Sequence, residues 1–313
     1  METNGQDNRQ SLLAYSALGL GLLLLGLSAI LVRLADVPGT IAAFYRVAIA
    51  VVVVAPFALG ESVRNGLPAW SDLRFALLAG VFFAGDLAAW SAGVMLSGAT
   101  NPTLMANTAP LWVGLGAVFI FRERLGRRFW LGLTVALAGA AVVFGLDAVR
   151  SFEVGLGTLL GLMAGLFYGG YFLLTQRGRA KIRLILFYWF SIVANVAVLF
   201  VLNLALGYPF FGYSMESYGF LLALALGPQV VGWLLINYAQ GHLPASLVSP
   251  TLLGQPVVTA AFAAVLLAEP LFPLQILGGA AVLFGVFLVH RSQQALRPVH
   301  PSRLENEPSP TSD

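Results

Sequence analysis

Ten apolar stretches follow one another between residues 11 and 290, with almost nothing charged inside them. A helix needs about 20 mostly apolar residues to cross the hydrocarbon of a bilayer. Windows of that length fall at about 11–32, 39–60, 74–95, 100–121, 129–146, 154–176, 183–206, 216–240, 244–267 and 273–290. Only 10% of the residues are charged and 58% are apolar, whereas a soluble domain carries about a quarter charged residues. A backbone in lipid must satisfy its own hydrogen bonds, so the expected fold is an all-α polytopic membrane protein with ten transmembrane helices. The first stretch is too long and leucine-rich for a signal peptide. It runs into "RLADVPG" rather than a small-residue cleavage site, and is read as retained. Residues 1–10 read as a cytoplasmic tail. Residues 291–313, rich in Pro, Ser and charge, read as a disordered cytoplasmic tail.

The arginines test this count. With the N-terminus in the cytoplasm, one side receives Arg9, Arg64, Arg74, Arg122, Arg124, Arg127, Arg128, Arg177, Arg179, Lys181, Arg183, Arg291, Arg297 and Arg303. The other side receives only Arg33 and Arg150, and Arg46 lies inside a span. One missed helix would scramble this sorting, which follows the excess of Lys and Arg on cytoplasmic loops. Both termini are therefore expected inside, in the inner (plasma) membrane of a cell. The preference for Arg over a single lysine, Lys181, fits a GC-rich bacterial genome. The net charge of +3 gives no nucleic-acid signature, and the absence of cysteine removes disulfides, thiolate metal sites and thiol nucleophiles.

The chain repeats itself at a constant offset of 146 residues. "APLWVGLGAVFIFRERLGRRFWLGLTVALAG" (109–139) overlays "QPVVTAAFAAVLLAEPLFPLQILGGAAVLFG" (255–285), pairing Pro110 with Pro256, Glu123 with Glu269, Leu125 with Leu271, Gly132 with Gly278 and Gly139 with Gly285. Gly19 pairs with Gly165 and Phe44 with Phe190. Each unit, 11–146 and 147–290, holds five spans, so the two enter the membrane in opposite directions. Inverted repeats let a central site open to either side in turn.

The pattern "N-x-x-L-x-A-N-x-A-P-L" (101–111), then "F-R-E-R-L" after an apolar run, returns more weakly as "A-S-L-V-S-P", "Q-P-V" and "L-L-A-E-P-L". In this the chain resembles the drug/metabolite transporter superfamily, specifically its EamA-type proteins with ten helices, over residues 12–290. The resemblance implies a bundle whose first four helices in each half line a central cavity, the fifth lying peripherally. It also implies transport of small metabolites, amino acids among them, with substrates that differ widely between similar sequences. A carboxylate in the first helix, as in four-helix multidrug relatives, is missing here.

Two side chains bear the cost of ionisable groups near the bilayer centre: Arg46 and Asp86. Their depths coincide, so the two are expected to pair, either as a strut or as a site for a zwitterionic or charged substrate. Trp90 shares a helical face with Asp86 one turn outward and offers an aromatic wall beside the acid, or an interfacial anchor. Asn107 with Pro110, and Gln255 with Pro256, predict kinks at matching positions, suited to gating or to permanent bends. Tyr168, Tyr171, Trp233, Asn237 and Tyr238 are further candidate cavity groups, although neutral polar residues in bundles more often bond neighbouring helices. The stripe Gly157, Gly161, Gly165, Gly169 reads as close helix packing or as a sliding surface. Glu123 and Glu269 lie at helix ends, the former explained by local pairing with Arg122 or Arg124.

The resulting reading is a secondary-active or facilitative carrier of small organic metabolites, working by alternating access and moving amino acids or related compounds outward. An uptake permease for drugs or other metabolites is the alternative. A channel is remote, because no selectivity-filter-like loop is visible. So is an intramembrane enzyme: His242, His290 and His300 sit in a loop or near the tail, and no H-E-x-x-H occurs. Phosphate substrates are disfavoured, since Arg46 is the only basic residue within a span. The expected partners are a small-molecule substrate, the lipid bilayer and protons as coupling ion, with Asp86 as proton carrier. No cofactor, metal or nucleic acid is expected, and the chain is read as a monomer or homodimer.

Overall fold

The computed structural model describes residues 2–97, 100–144 and 155–294. All described elements are helical and form ten segments. In chain order they are α1 (Glu2–Ala35), α2 (Gly39–Asn65), α3 (Trp70–Ser97) and α4, made of two pieces (Thr100–Ala106 and Ala109–Ile120). Then come α5 (Arg127–Val143), α6 (Leu156–Arg179) and α7 (Leu184–Leu206). α8 joins Met215–Leu224 to Trp233–Gln240 through a π-helical stretch, Ala225–Gly232. α9 joins Ala245–Thr251 to Gln255–Leu266 through a 3₁₀ turn, Leu252–Gly254, and α10 is Pro273–Gln294. Nine segments are long and apolar enough to cross a membrane. α5, with 17 residues, is the tenth helix and is not among those nine.

Helix extends into both expected tails. α1 is helical from Glu2, so the polar residues read as a tail extend the helix past its apolar part. α10 carries the helix through Gln294, and the rest of the predicted C-terminal tail lies outside the described residues. The same holds for Arg150 and the boundary between the two halves.

The 146-residue repeat extends to backbone detail. α4 breaks at Asn107–Thr108 and α9 at Leu252–Gly254, the equivalent place. In each, the conserved-offset proline is the second residue of the helix that restarts. A proline there loses no hydrogen bond, because the first-turn N–H groups have no partner in any helix. The predicted kinks are therefore breaks, sited just before Pro110 and Pro256. Past the end of α4, Arg122 has φ 57°, and past α9, Ala268 has φ 54°. Such left-handed non-glycine residues cost about 1–2 kcal/mol. Each lets the following glutamate N–H reach a carbonyl six residues back: Glu123 to Ala117 (3.0 Å) and Glu269 to Ala263 (3.3 Å). α8 departs from its counterpart α3, which is a regular helix. Pro228 cannot donate within α8, and the π stretch absorbs the interruption.

Contacts sort the helices into two trios related by the repeat, α1–α8–α9 and α6–α3–α4. α5 packs on α10 and α2 on α7 at the flanks. At the α5–α10 crossing, a Cβ on Gly132 would stand 2.7 Å from the Gly285 carbonyl oxygen, and one on Gly139 would stand 2.7 Å from that of Gly278. The reciprocal approaches, Gly285 to Gly132 and Gly278 to Gly139, are 2.5 and 2.8 Å. Each glycine thus meets the repeat partner of the other, as around a two-fold axis, and only glycine permits this approach. The α6 glycine stripe packs along α4, with Gly161 on Pro102 and Gly165 on the Met105 carbonyl, inside one trio. It is packing within a trio, not a surface between trios.

Candidate functional site

A cavity of about 560 Å³ separates the two trios. Leu25, Ser28, Ala29 and Val32 of α1, Gly39 and Arg46 of α2, and Asp86 and Trp90 of α3 lie in the halves of their helices nearer the arginine-poor end. Thr103 and Asn107 of α4, and Gln255, Pro256, Thr259 and Ala263 of α9, do the same from the other directions. Exposed Ala29, Gly39 and Glu269 mark the mouth at that end. The floor is aromatic. Phe83 lies 4.8 Å from Trp233 and stacks on Tyr168 at 6.0 Å (ring centroids). Tyr171 and Phe172 close the layer beneath, 4.9 Å from Phe83 and 4.8 Å from Tyr168 respectively. Below them Val113, Ile236, Ala239, Leu247 and Val248 are all buried, so the arginine-rich end is shut.

The lining amends the expected four-and-four plan. α7 contributes nothing to it, while Val143 and Phe144 at the end of α5 do. α7 is occupied with α2 and α3 on its far side.

Arg46 and Asp86 face this cavity, as their depths required, but they do not form an ion pair. Arg46 Nε donates to Gln229 Oε1 (2.6 Å) and Nη1 lies 3.4 Å from Ser28 Oγ. The π stretch of α8 presents Gln229 here, and the Tyr188 hydroxyl fastens its carbonyl. Neutral partners hold the guanidinium in place without cancelling its charge. Among the described residues, no hydrogen bond or ion pair engages the buried Asp86 carboxylate. An isolated charge in an apolar wall is costly unless something pairs with it.

Trp90 lines the cavity and donates through Nε1 to Thr103 Oγ1 (2.8 Å), so it ties α3 to α4 rather than anchoring at an interface. Asn107 and Gln255 line the cavity from the two helix breaks. Asn107 Nδ2 donates to the Thr103 carbonyl (2.8 Å), and Gln255 Nε2 reaches the Leu25 carbonyl of α1 (3.3 Å). Tyr168, Trp233 and Pro256 are also at the cavity wall. Tyr171, Asn237, Tyr238 and Pro110 are not. Tyr171 lies in the plug, where Asn237 Nδ2 donates to its hydroxyl (3.1 Å). Tyr238 points to another face, its ring 4.5 Å from that of His242, and Pro110 is buried between helices. These side chains lie on the shut side of the floor, a property of the conformation that residue type does not encode. Sequence reasoning missed Gln229, Ser28, Thr103 and Thr259; the proline at 228 was the available signal for the irregular backbone that aims Gln229. Glu123 is not paired with Arg122 or Arg124. Its oxygens accept from Gln176 Nε2 (3.2 Å) and Ser246 Oγ (2.5 Å). Glu269 instead pairs with Arg33 (2.6 Å).

The two repeats enclose a largely apolar cavity that carries Arg46 and Asp86, open at one end and sealed at the other. The EamA-like transporter family matches twice, over residues 12–145 and 155–291, and the chain belongs to that family, within the drug/metabolite transporter superfamily. The family match makes the chain a transporter rather than an enzyme. No curated protein matches the chain. Among solved structures, one crystal structure shares the fold with a TM-score of 0.77 at 18% identity, over 93% of this chain and 99% of the other. The family defines carriage of small metabolites or drugs across a membrane.

Proposed function

We propose that the protein exports small zwitterionic metabolites, amino acids and related compounds, across the inner membrane of a bacterium by alternating access. Asp86 receives the ammonium group, Arg46 the carboxylate, and Trp90 with the aromatic floor receives the side chain. One observation carries this reading: an arginine and an aspartate face one cavity without bonding to each other. A ligand bearing both charges satisfies both walls at once, whereas an anion or a cation alone leaves one buried charge unpaired. Protons are the proposed coupling ion, and Asp86 is the acid at the depth of the substrate that would carry them. The arginine-rich end is taken as cytoplasmic, so the open mouth faces outward.

The aromatic walls, Phe83, Tyr168 and Trp233, favour a second reading, a permease for bulky lipophilic drugs. Flux in proteoliposomes against amino acids, amines, organic anions and lipophilic cations, with and without a pH gradient, separates the two. Trans-stimulated exchange of amino acids, steeper with an imposed proton gradient, is the expected outcome. Flux of lipophilic cations alone sinks the zwitterion reading, and indifference to the gradient sinks proton coupling.

A further inference from the structure

The repeat equates Arg33 with Arg179 and Glu269 with Glu123, yet these equivalent residues are engaged differently at the two ends. At the open end, Arg33 Nη1 and Glu269 Oε1 bond to each other (2.6 Å) across α1 and α9, within one trio. At the shut end, both residues reach across the seam between trios instead. Arg179 Nε of α6 donates to the Asn237 carbonyl of α8 (3.1 Å), and its Nη1 to Ile182 O (2.5 Å). Glu123 of α4 accepts the Ser246 hydroxyl of α9 (2.5 Å). Gln176 completes the seam, donating to Glu123 (3.2 Å) and accepting the Ala245 N–H of α9 (2.6 Å). Among the described residues, Arg179 and Glu123 form no ion pair, although Gln176, one turn before Arg179, touches that glutamate.

We propose that Arg179 and Glu123 pair when the arginine-rich end opens, as Arg33 and Glu269 are paired now, so that each end carries an Arg–Glu switch that is made when open and exchanged for cross-seam bonds when shut. Two further observations support it. The glutamates are presented by the same backbone device, a left-handed residue followed by an N–H bonded six residues back. The seam is also built to part: Asn237 Oδ1 and Gln240 Oε1 are buried there without a hydrogen-bond partner. Each such atom costs about 1–3 kcal/mol, and opening to water relieves that cost. Arg179 and Glu123 are positioning residues that set which end is open. The proposal rests on alternating access as proposed above, but not on any substrate.

The test uses the cysteine-free background. A single cysteine replacing Gln240, 3% exposed in this state, reports opening through its reaction with a membrane-impermeant thiol reagent applied at the arginine-rich end. Glu123→Gln keeps an acceptor for the Ser246 hydroxyl and gives up, in the shut state, only the longer bond from Gln176 Nε2 (3.2 Å). The open state loses its ion pair. Labelling is therefore expected to slow about threefold, the scale of an exposed pair, and Glu269→Gln is expected to speed it by a similar factor. The charge-exchanged double variant, Glu123→Arg with Arg179→Glu, gives up the shut-state bonds of both residues and is compared with the two single exchanges. With the pair restored in the open state, it should label faster than the two single effects sum to. Faster labelling in Glu123→Gln overturns the proposal, because it makes the glutamate a simple lock on the shut end. Losses in the exchanged variant that merely add also overturn it. No substrate enters the measurement, so a wrong substrate assignment leaves this result intact, and a wrong switch leaves the transport panel intact.

Discussion

Apart from the π stretch of α8, the halves α1–α5 and α6–α10 agree in backbone and disagree in chemistry. Helix breaks, left-handed caps and the glycine crossing recur at the 146-residue offset. The charged wall does not: the position equivalent to Asp86 is Gly232, to Arg46 is Ile192, to Trp90 is Ile236, and to Gln229 is Phe83. The difference has a physical logic. Exchange between two conformations of similar energy needs equivalent parts, so the elements that flex and pack are duplicated. The proposed zwitterion has two unlike ends and would need unlike walls, which unduplicated cavity groups supply. A symmetric pair of acids or arginines would suit a symmetric ion, not a zwitterion.

The largest test of that division is Asp86→Asn. If the acid serves recognition, zwitterion flux falls about a hundredfold, which corresponds to the upper end, about 3 kcal/mol, for hydrogen bonds to a charged group. Stability in detergent is expected to stay level or rise, because a buried carboxylate with no partner is replaced by a neutral amide. Retained flux together with a lower unfolding temperature would reassign Asp86 to the scaffold.

The shared part of the molecule was the legible part. Spans and their direction follow from composition and from arginine placement, which the bilayer enforces locally. The breaks near Pro110 and Pro256 follow from proline chemistry. The cavity was half legible: Arg46 and Asp86 stood out because charge is expensive at that depth, but their partners did not. Gln229 meets Arg46 only because the π stretch in α8 rotates it there, 183 residues from its partner. Glu123 meets Ser246 for a reason that depends on state, since this end is shut. Tyr171 and Asn237 lie under the floor for the same reason.

The scaffold side of the comparison is tested next. Gly132→Ala and Gly278→Ala occupy equivalent places on α5 and α10, where a Cβ meets backbone oxygen at 2.7 and 2.8 Å. Neither neighbour is a flexible side chain, so the helices must part. Each substitution is expected to cost about 1–3 kcal/mol, as overpacking does, and the two costs should match within about 0.5 kcal/mol. Thermal unfolding in one detergent measures both. Effects differing by more than about 1 kcal/mol would mean that the crossing is not a two-fold contact, and the division between duplicated scaffold and unique site would lose its structural half.

The smallest effect sharpens the recognition side. Trp233 is 2% exposed and sits at the cavity floor, with an indole N–H that has no hydrogen-bond partner. Its repeat partner is Leu87, which carries no polar atom in its side chain, so the donor is a unilateral feature. A donor left unpaired beside a cavity is stabilised when a ligand supplies an acceptor. Trp233→Phe removes the donor and keeps an aromatic floor against Phe83. The expected outcome is an apparent affinity about fivefold weaker, close to 1 kcal/mol, with maximal flux nearly unchanged and no loss of stability. A fall in maximal flux at constant affinity would place Trp233 among the moving parts and not the recognising ones.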